Sequence, residues 1–380
     1  MFYAFNENGK LSSLFQEPAS VLQQLKKESS FYCPTCKELL IVKSGSSTTP
    51  HFAHFPSSTC ETKNRGESEY HESGKWLLYK WLSSQGFNVE VEKFLPGIQQ
   101  RPDLLFEVNS KKVAVELQCA TIPVSVIQKR TEGFRKEGIF PLWILGKNQL
   151  KRKGEFNLIL DGLHKSLVYK IHGQYRMYFL DVNAKAIIET HTLGSYSSSK
   201  HFAAFKNYRL HSSSFPQLFT PSVSSAEPLY PLWEQVLYRY RTIYRKHASS
   251  REKQWRQSLY LKSLHYSLIP SLCYLPVQGQ VLAKVEPYIW QTRFITDSFW
   301  HTKIGEVITF TEIETISTVN EESPNVLQEY MDVLEKFDIV TRMSDKGWIK
   351  LKEVSFHNNV HEAISEDRWV VSKLKQFNIL

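Results

Sequence analysis

No apolar run in the 380-residue chain is long enough to span a membrane. The longest, "VAVEL" and "FPLWILG", fall far short of the roughly 20 residues a spanning helix needs. The first ten residues, "MFYAFNENGK", lack the basic segment and apolar stretch of a secretory signal, so a cytoplasmic protein is expected. Cysteine is scarce, at 5, which excludes a disulfide-built scaffold. No internal repeat is visible, and with 42% apolar residues the chain is not a disordered one.

Aromatic residues are plentiful instead, at 13%, enough for large cores. Lys and Arg outnumber Asp and Glu by 47 to 38, a net charge of +9, which suits a phosphate-backbone partner without requiring one. A chain of this length implies two or three domains.

Four regions follow from changes of pattern. Residues 1–64 read as a β-rich module: a hairpin turning at Asn8-Gly9, a short helix with Pro18 in its first turn, then a cysteine knuckle and two strands. Residues 65–150 read as helix, three strands, helix, strand, an α/β core; the strands are "FNVEVEKFL", "PDLLFEV" and "KKVAVELQC", then "FPLWIL". Residues 151–228 read as hairpins followed by a Ser- and Pro-rich linker beginning at "GSYSSSK". Residues 229–380 read as mainly helical and basic, with a helix and hairpin near the end, turning at Asp345-Lys346-Gly347, that suggest a winged-helix-like end.

The knuckle is Cys33-Pro34-Thr35-Cys36, with His51, His54 and Cys60 close behind. A Cys-x2-Cys turn supplies half of a zinc tetrahedron. The other half comes from His54 and Cys60, or from His51 with either of them. In "HFAH" the two imidazoles are three apart and point to opposite faces of an extended chain, which argues against both. The favoured set is Cys33, Cys36, His54 and Cys60, a closed, structural Zn2+ site. A redox pair is the rival reading, but such pairs open a helix, and "KELLIVK" reads as a strand.

The second constellation is a pair of acids. Asp103 leads one apolar strand, and Glu116 lies inside the next with Gln118 on the same face. Paired through the turn at "VNSKK", the strands bring the two carboxylates to one end of the sheet. Converging carboxylates repel unless a cation lies between them, and a hard divalent ion such as Mg2+ or Mn2+ is the usual resolution. Each acid alone would be read as a solvent-facing strand residue.

Pro102-Asp103 with Glu116-Leu117-Gln118 resembles the core of PD-(D/E)xK nucleases, with Gln where Lys is commoner. Taken with "FYCPTC", "HFAH", "ESEYH", "RPDLLF", "AVELQCA" and "PLWILG", the first 150 or so residues resemble the competence protein CoiA family. That resemblance implies a restriction-endonuclease-like core and a role with DNA taken up in transformation. It implies Asp103 and Glu116 as ligands of Mg2+ or Mn2+, Gln118 in the third core position, and Glu67 and His71 lining the same site. It also implies that Arg130 contacts a phosphate and Phe134 packs; Lys75 is a candidate for the missing cation.

Between Val236 and Tyr266 stand eight basic residues, Arg239, Arg241, Arg245 and Lys246 among them, against one acid, Glu252. Tyrosines and Trp255 are interleaved. Cations for phosphates and rings for unpaired bases suit single-stranded DNA, while an amphipathic helix with a solvated basic face is the plainer reading. Three functions stay open: a metal-dependent deoxyribonuclease acting on incoming single strands and promoting recombination, a non-catalytic DNA-binding mediator of nuclease-like fold, and an adaptor that docks recombination proteins.

Overall fold

Asn6 turns the chain back on itself. Its side-chain oxygen accepts the N–H groups of Asn8 at 3.1 Å and Lys10 at 2.9 Å, and Gly9 takes the left-handed φ of +68° that such a turn needs. The strands it joins, β1 (Tyr3–Asn6) and β2 (Leu11–Ser13), pair with Phe5 opposite Leu11. In this computed structural model the described residues are 3–14, 19–28, 30–44, 50–60, 69–221, 225–308, 326–344 and 347–379. Pro18, Glu67, Asp345 and Lys346, singled out above, lie outside them.

Helix α1 (Ala19–Glu28), β3 (Phe31–Tyr32), β4 (Leu39–Lys43) and β5 (His51–His54) complete the first sheet, in the order β2-β1-β3-β4-β5. Leu40 and Val42 alternate inward from β4 and join Ala4, Leu22, Phe31 and Phe52 in a small core. The Phe31 and Phe52 rings lie 4.7 Å apart.

Helix α2 (Glu69–Ser83) follows, then β6 (Glu90–Val91), β7 (Leu104–Val108), β8 (Lys111–Gln118), α3 (Val124–Lys136) and β9 (Phe140–Gly146), with the short β10 (Arg152–Lys153), β11 (Asn157–Ile159), α4 (Gly162–Ser166) and β12 (Tyr169–Ile171) after them. β7 and β8 are antiparallel around Asn109 and Ser110, both at positive φ, a turn whose twist suits a two-residue hairpin. β8 and β9 run parallel, and α3 is the crossover between them. Nearly every residue of β8 from Val113 to Leu117 is buried, as a strand covered on both faces requires. α2 lies close against β8 because Gly74 has no side chain: a Cβ there would come within 2.4 Å of Leu117 Cδ2.

Two expectations are corrected. "FNVEVEKFL" is a strand only at Glu90–Val91, because Glu92 adopts φ of +48° and turns its carboxylate toward Lys75. The Ser-rich stretch read as a linker holds the end of β14 (Ala186–Ser195) and the whole of β15 (Lys200–Arg209), where Phe202, Ala203 and Tyr208 are buried. Composition misled there; side-chain alternation, not serine content, decides a strand.

The chain forms two compact units that cut across the sequence-based boundaries. One comprises Met1–Leu150, Met177–Glu189 and Lys206–Thr220; the other comprises Lys151–Arg176, Thr190–Phe205 and Pro221–Leu380. In the first, Phe179 and Leu180 from β13 (Gln174–Asp181) pair parallel with Leu145 and Gly146 of β9. Phe215 also returns to it, packing on Phe106 and Trp81 at 4.9 and 6.2 Å between ring centres.

The second unit is mainly helical. Its helices include α5 (Leu229–Thr242), α6 (Ser250–Leu261), α7 (Pro287–Asp297), α8 (Val326–Lys336) and α9 (Val360–Gln376), with the hairpin β16 (Val340–Ser344) and β17 (Gly347–Lys350) after α8. Trp233, Leu237, Trp255, Leu259 and Tyr330 belong to its core. No helix among the described residues is long and apolar enough to cross a membrane.

Candidate active site and metal centre

Strand register builds the acidic site. Leu104 pairs with Val115, which sets Asp103, the residue before β7, beside Glu116. The Asp103 carboxylate accepts the backbone N–H of Leu117 at 2.8 Å, so the side chain itself ties the two strands. From α2, His71 Nε2 reaches Asp103 Oδ2 at 3.4 Å. From α3, Arg130 pairs with Glu116 and also donates to the Arg101 carbonyl at 3.0 Å.

The two acids differ electrostatically. Burial alone would raise the Asp103 carboxyl, but the His71 hydrogen bond, the charges of Lys75 and His71, and the Leu117 N–H outweigh it and hold the group below its ordinary range. Burial, with the Asp103 charge added, pushes Glu116 up to about 8, and Arg130 pulls it the other way. One carboxylate is thus firmly ionised while its neighbour holds a proton or leans on a cation.

The structure brings Asp103, Glu116, His71 and Arg130 together. Gln118 stands at the end of β8, its amide donating to the Ala120 carbonyl at 2.5 Å. Lys75 does not meet its expected role. It is 1% exposed, pairs with Glu72 at 2.9 Å and Glu92 at 2.7 Å, and cannot reach a phosphate in solvent. It acts below the site, neutralising two acids that sequence reading passed over; Glu72, three residues before Lys75 on the helix, was the available signal. Tyr3 completes that network, its hydroxyl donating to Glu92 at 2.7 Å.

The cysteine cluster forms a separate centre. Cys33, Cys36, His54 and Cys60 place their donor atoms within 4.8 Å of one another, and His51 is not among them. The turn is tight: Lys37, at φ +62°, donates its N–H to the Cys33 carbonyl at 3.0 Å. Cys36 Sγ and His54 Nε2 lie 3.4 Å apart. Ligands of a tetrahedral ion bound at about 2.3 Å from sulfur stand roughly 3.5 to 4 Å from one another, so three thiols and an imidazole at this spacing fit a metal such as zinc. Burial, with hydrogen bonds to Cys60 and Cys33, pushes the Cys36 thiol up to about 12. Without a cation the Cys36 thiol keeps its proton; a dication displaces it on binding.

The basic stretch is sorted sharply by the second unit. Arg239 and Lys246 are exposed, and Arg245 lies with its guanidinium 4.1 Å from the centre of the Tyr240 ring. Arg241 and Trp255 are corrections. Arg241 is 0% exposed at its side chain and pairs with Asp367, and Trp255 is a core residue.

Family models match nearly the whole chain: "Competence protein CoiA, N-terminal domain" over residues 14–63, "Competence protein CoiA, nuclease-like domain" over 67–223 and "Competence protein CoiA, C-terminal domain" over 231–364. Asp103, Glu116, His71 and Arg130 all fall in the second. No solved structure matches the chain. Competence protein CoiA of Bacillus subtilis (strain 168) is 31% identical over 283 residues, covering 72% of this chain and 74% of that protein. The chain therefore belongs to the competence protein CoiA family.

Proposed function

We propose that this chain is a cytoplasmic DNA-processing protein of natural competence, and that the Asp103–Glu116 site hydrolyses phosphodiester bonds of incoming single-stranded DNA to promote its recombination. The observation that carries this reading is the register that sets Asp103 beside Glu116, with His71 and Arg130 converging from two helices. An all-oxygen carboxylate pair suits Mg2+ or Mn2+. Such an ion, when bound, activates water and offsets charge on the phosphodiester. Asp103, already ionised, would hold such an ion together with Glu116, which now pairs with Arg130, and an Arg130 freed from that pair would meet a phosphate oxygen. His71 holds the orientation of Asp103. Gln118 takes the third core position as a neutral hydrogen-bonding group. In this reading the core is restriction-endonuclease-like, α8 with its hairpin is a winged-helix-like end, and the cysteine centre holds a structural Zn2+.

A second reading rests on Arg130. Its side chain already neutralises Glu116, and no lysine follows at position 118. A site balanced without a metal fits a DNA-binding mediator that has kept the nuclease-like architecture.

Cleavage of labelled single- and double-stranded DNA with Mg2+ or Mn2+, comparing wild type with Asp103→Ala and Glu116→Ala, separates the two. The nuclease reading expects metal-dependent cutting that falls by at least about a hundredfold in each variant. No cutting by wild type, with DNA binding intact, establishes the mediator. The pH profile has a defined sign. Burial raises Glu116 to about 8 and it must lose its proton to bind a cation, so cleavage should climb from pH 6.5, reach half its limit near pH 8 and level off about a unit higher. Asp103 is ionised throughout that range.

A further inference from the structure

Single exposed apolar side chains are ordinary, but a cluster of them marks a binding surface. Among the described residues, the three most exposed large hydrophobic side chains are Tyr260 at 79%, Leu261 at 76% and Tyr244 at 71%. All lie between residues 238 and 261, with Tyr238 at 52% and Ile243 at 56%. They occupy the solvent face of α5 near its end, the segment that follows, and α6.

The charges around them are biased. Glu252, the one acid of the stretch, is 7% exposed and takes Arg256 at 2.6 Å and Arg245 at 3.8 Å. Arg239, Lys246 and Lys253 are exposed and make no ion pair among the described residues. On α6, Lys253, Arg256 and Tyr260 stand at i, i+3 and i+7, one face of the helix. The Arg256 guanidinium lies 5.6 Å from the centre of the Tyr244 ring, which joins the preceding segment to that face.

We infer that Tyr238, Arg239, Tyr244, Lys253, Arg256 and Tyr260, all in the second unit, form a binding surface for single-stranded nucleic acid. Exposed rings offer flat faces to unpaired bases, which a duplex keeps stacked inside. The unpaired cations supply the attraction for phosphates. A protein partner would want the apolar residues gathered with fewer free like charges between them. Arg241 and Trp255, which the sequence pattern suggested for this task, are the internal supports of the surface and do not face its ligand.

The test is fluorescence anisotropy with the full chain, without added divalent metal, on a thirty-nucleotide oligo-dT, on an abasic strand of equal length, and on a duplex. Stacking on each base typically carries a factor of about ten in affinity, so Tyr244→Ala/Tyr260→Ala should weaken oligo-dT binding at least about tenfold, while Tyr244→Phe/Tyr260→Phe keeps it. The double alanine variant should leave abasic-strand and duplex binding unchanged. Arg239→Gln/Lys253→Gln should flatten the dependence of log affinity on log salt by about 0.7 per lost phosphate contact. Undiminished oligo-dT binding by the alanine variant overturns the inference. So does wild-type binding of the abasic strand as tight as that of oligo-dT. If light scattering shows wild-type self-association that the alanine variant loses with DNA affinity intact, the face joins copies of this chain and the inference fails.

Discussion

Stripping the zinc proposed for the Cys33, Cys36, His54 and Cys60 centre is expected to unfold the first sheet. Bound to one ion, the four side chains would clamp the turn between β3 and β4 to the end of β5 and to Cys60 beyond it. The core they support is small, chiefly Ala4, Leu14, Leu22, Phe31, Leu40, Val42 and Phe52. An apparent zinc-binding free energy of about 10–16 kcal/mol is comparable to or larger than the roughly 5–15 kcal/mol that stabilises a whole domain. As purified, the protein should carry one zinc per chain. Cys36→Ser or His54→Ala should abolish stoichiometric metal and open the region around Phe31 and Phe52 to protease. His51→Ala should keep both metal and protection, because His51 is outside the donor set. A metal-free chain whose first sixty residues resist protease as the loaded one does would refute a structural ion.

Arg241→Met is expected to destabilise the second unit by about 3–5 kcal/mol, the usual cost of leaving one partner of a buried pair uncompensated. Arg241 donates from Nε and Nη2 to both oxygens of Asp367, at 3.0 and 2.8 Å, and from Nη1 to the carbonyls of Ser267 and Ile269 at 3.0 and 2.6 Å. Ser271 donates to the same carboxylate at 2.6 Å. Removing the guanidinium strands the carboxylate and leaves two carbonyls unmet. Adding Asp367→Leu to Arg241→Met should restore the part of the loss that comes from the stranded carboxylate, while the Ser267 and Ile269 carbonyls stay unmet. Urea unfolding followed by tryptophan fluorescence reads both. Were Arg241 a DNA contact, Arg241→Met would lower DNA affinity and leave the unfolding curve where it was.

The acidic site and the cysteine centre were legible because their chemistry is local in sequence. A Cys-x2-Cys turn declares itself by spacing, and Asp103 immediately precedes, and Glu116 lies within, two strands joined by a two-residue turn, so pairing alone brings them together. Arg130 was legible only as an expected contact to phosphate, because its partner depends on how α3 crosses back over the sheet. Lys75 was misread for the opposite reason: a lysine is presumed exposed, and only Glu72 and Glu92 together make its burial tolerable. In α5 the signal was available and overlooked. Trp233, Leu237 and Arg241 are spaced by four, so Arg241 shares the apolar face. Trp255 and Leu259 repeat that spacing in α6.

The first unit is not continuous in sequence, and this sets the order in which the chain can fold during synthesis. Trp81 donates its indole N–H to the Ser213 carbonyl at 2.8 Å, and Phe215 donates its backbone N–H to the Gln85 side chain at 2.7 Å while its ring packs on Phe106 and Phe87. A ribosome adding about 5–20 residues per second needs on the order of 4–14 s to pass from residue 150 to residue 220. Through that interval the nascent chain holds both acids and the cysteine centre but lacks the residues that close its aromatic core. A fragment ending at residue 150 lacks those closing residues and is a poor stand-in for the unit in any assay of the acidic site.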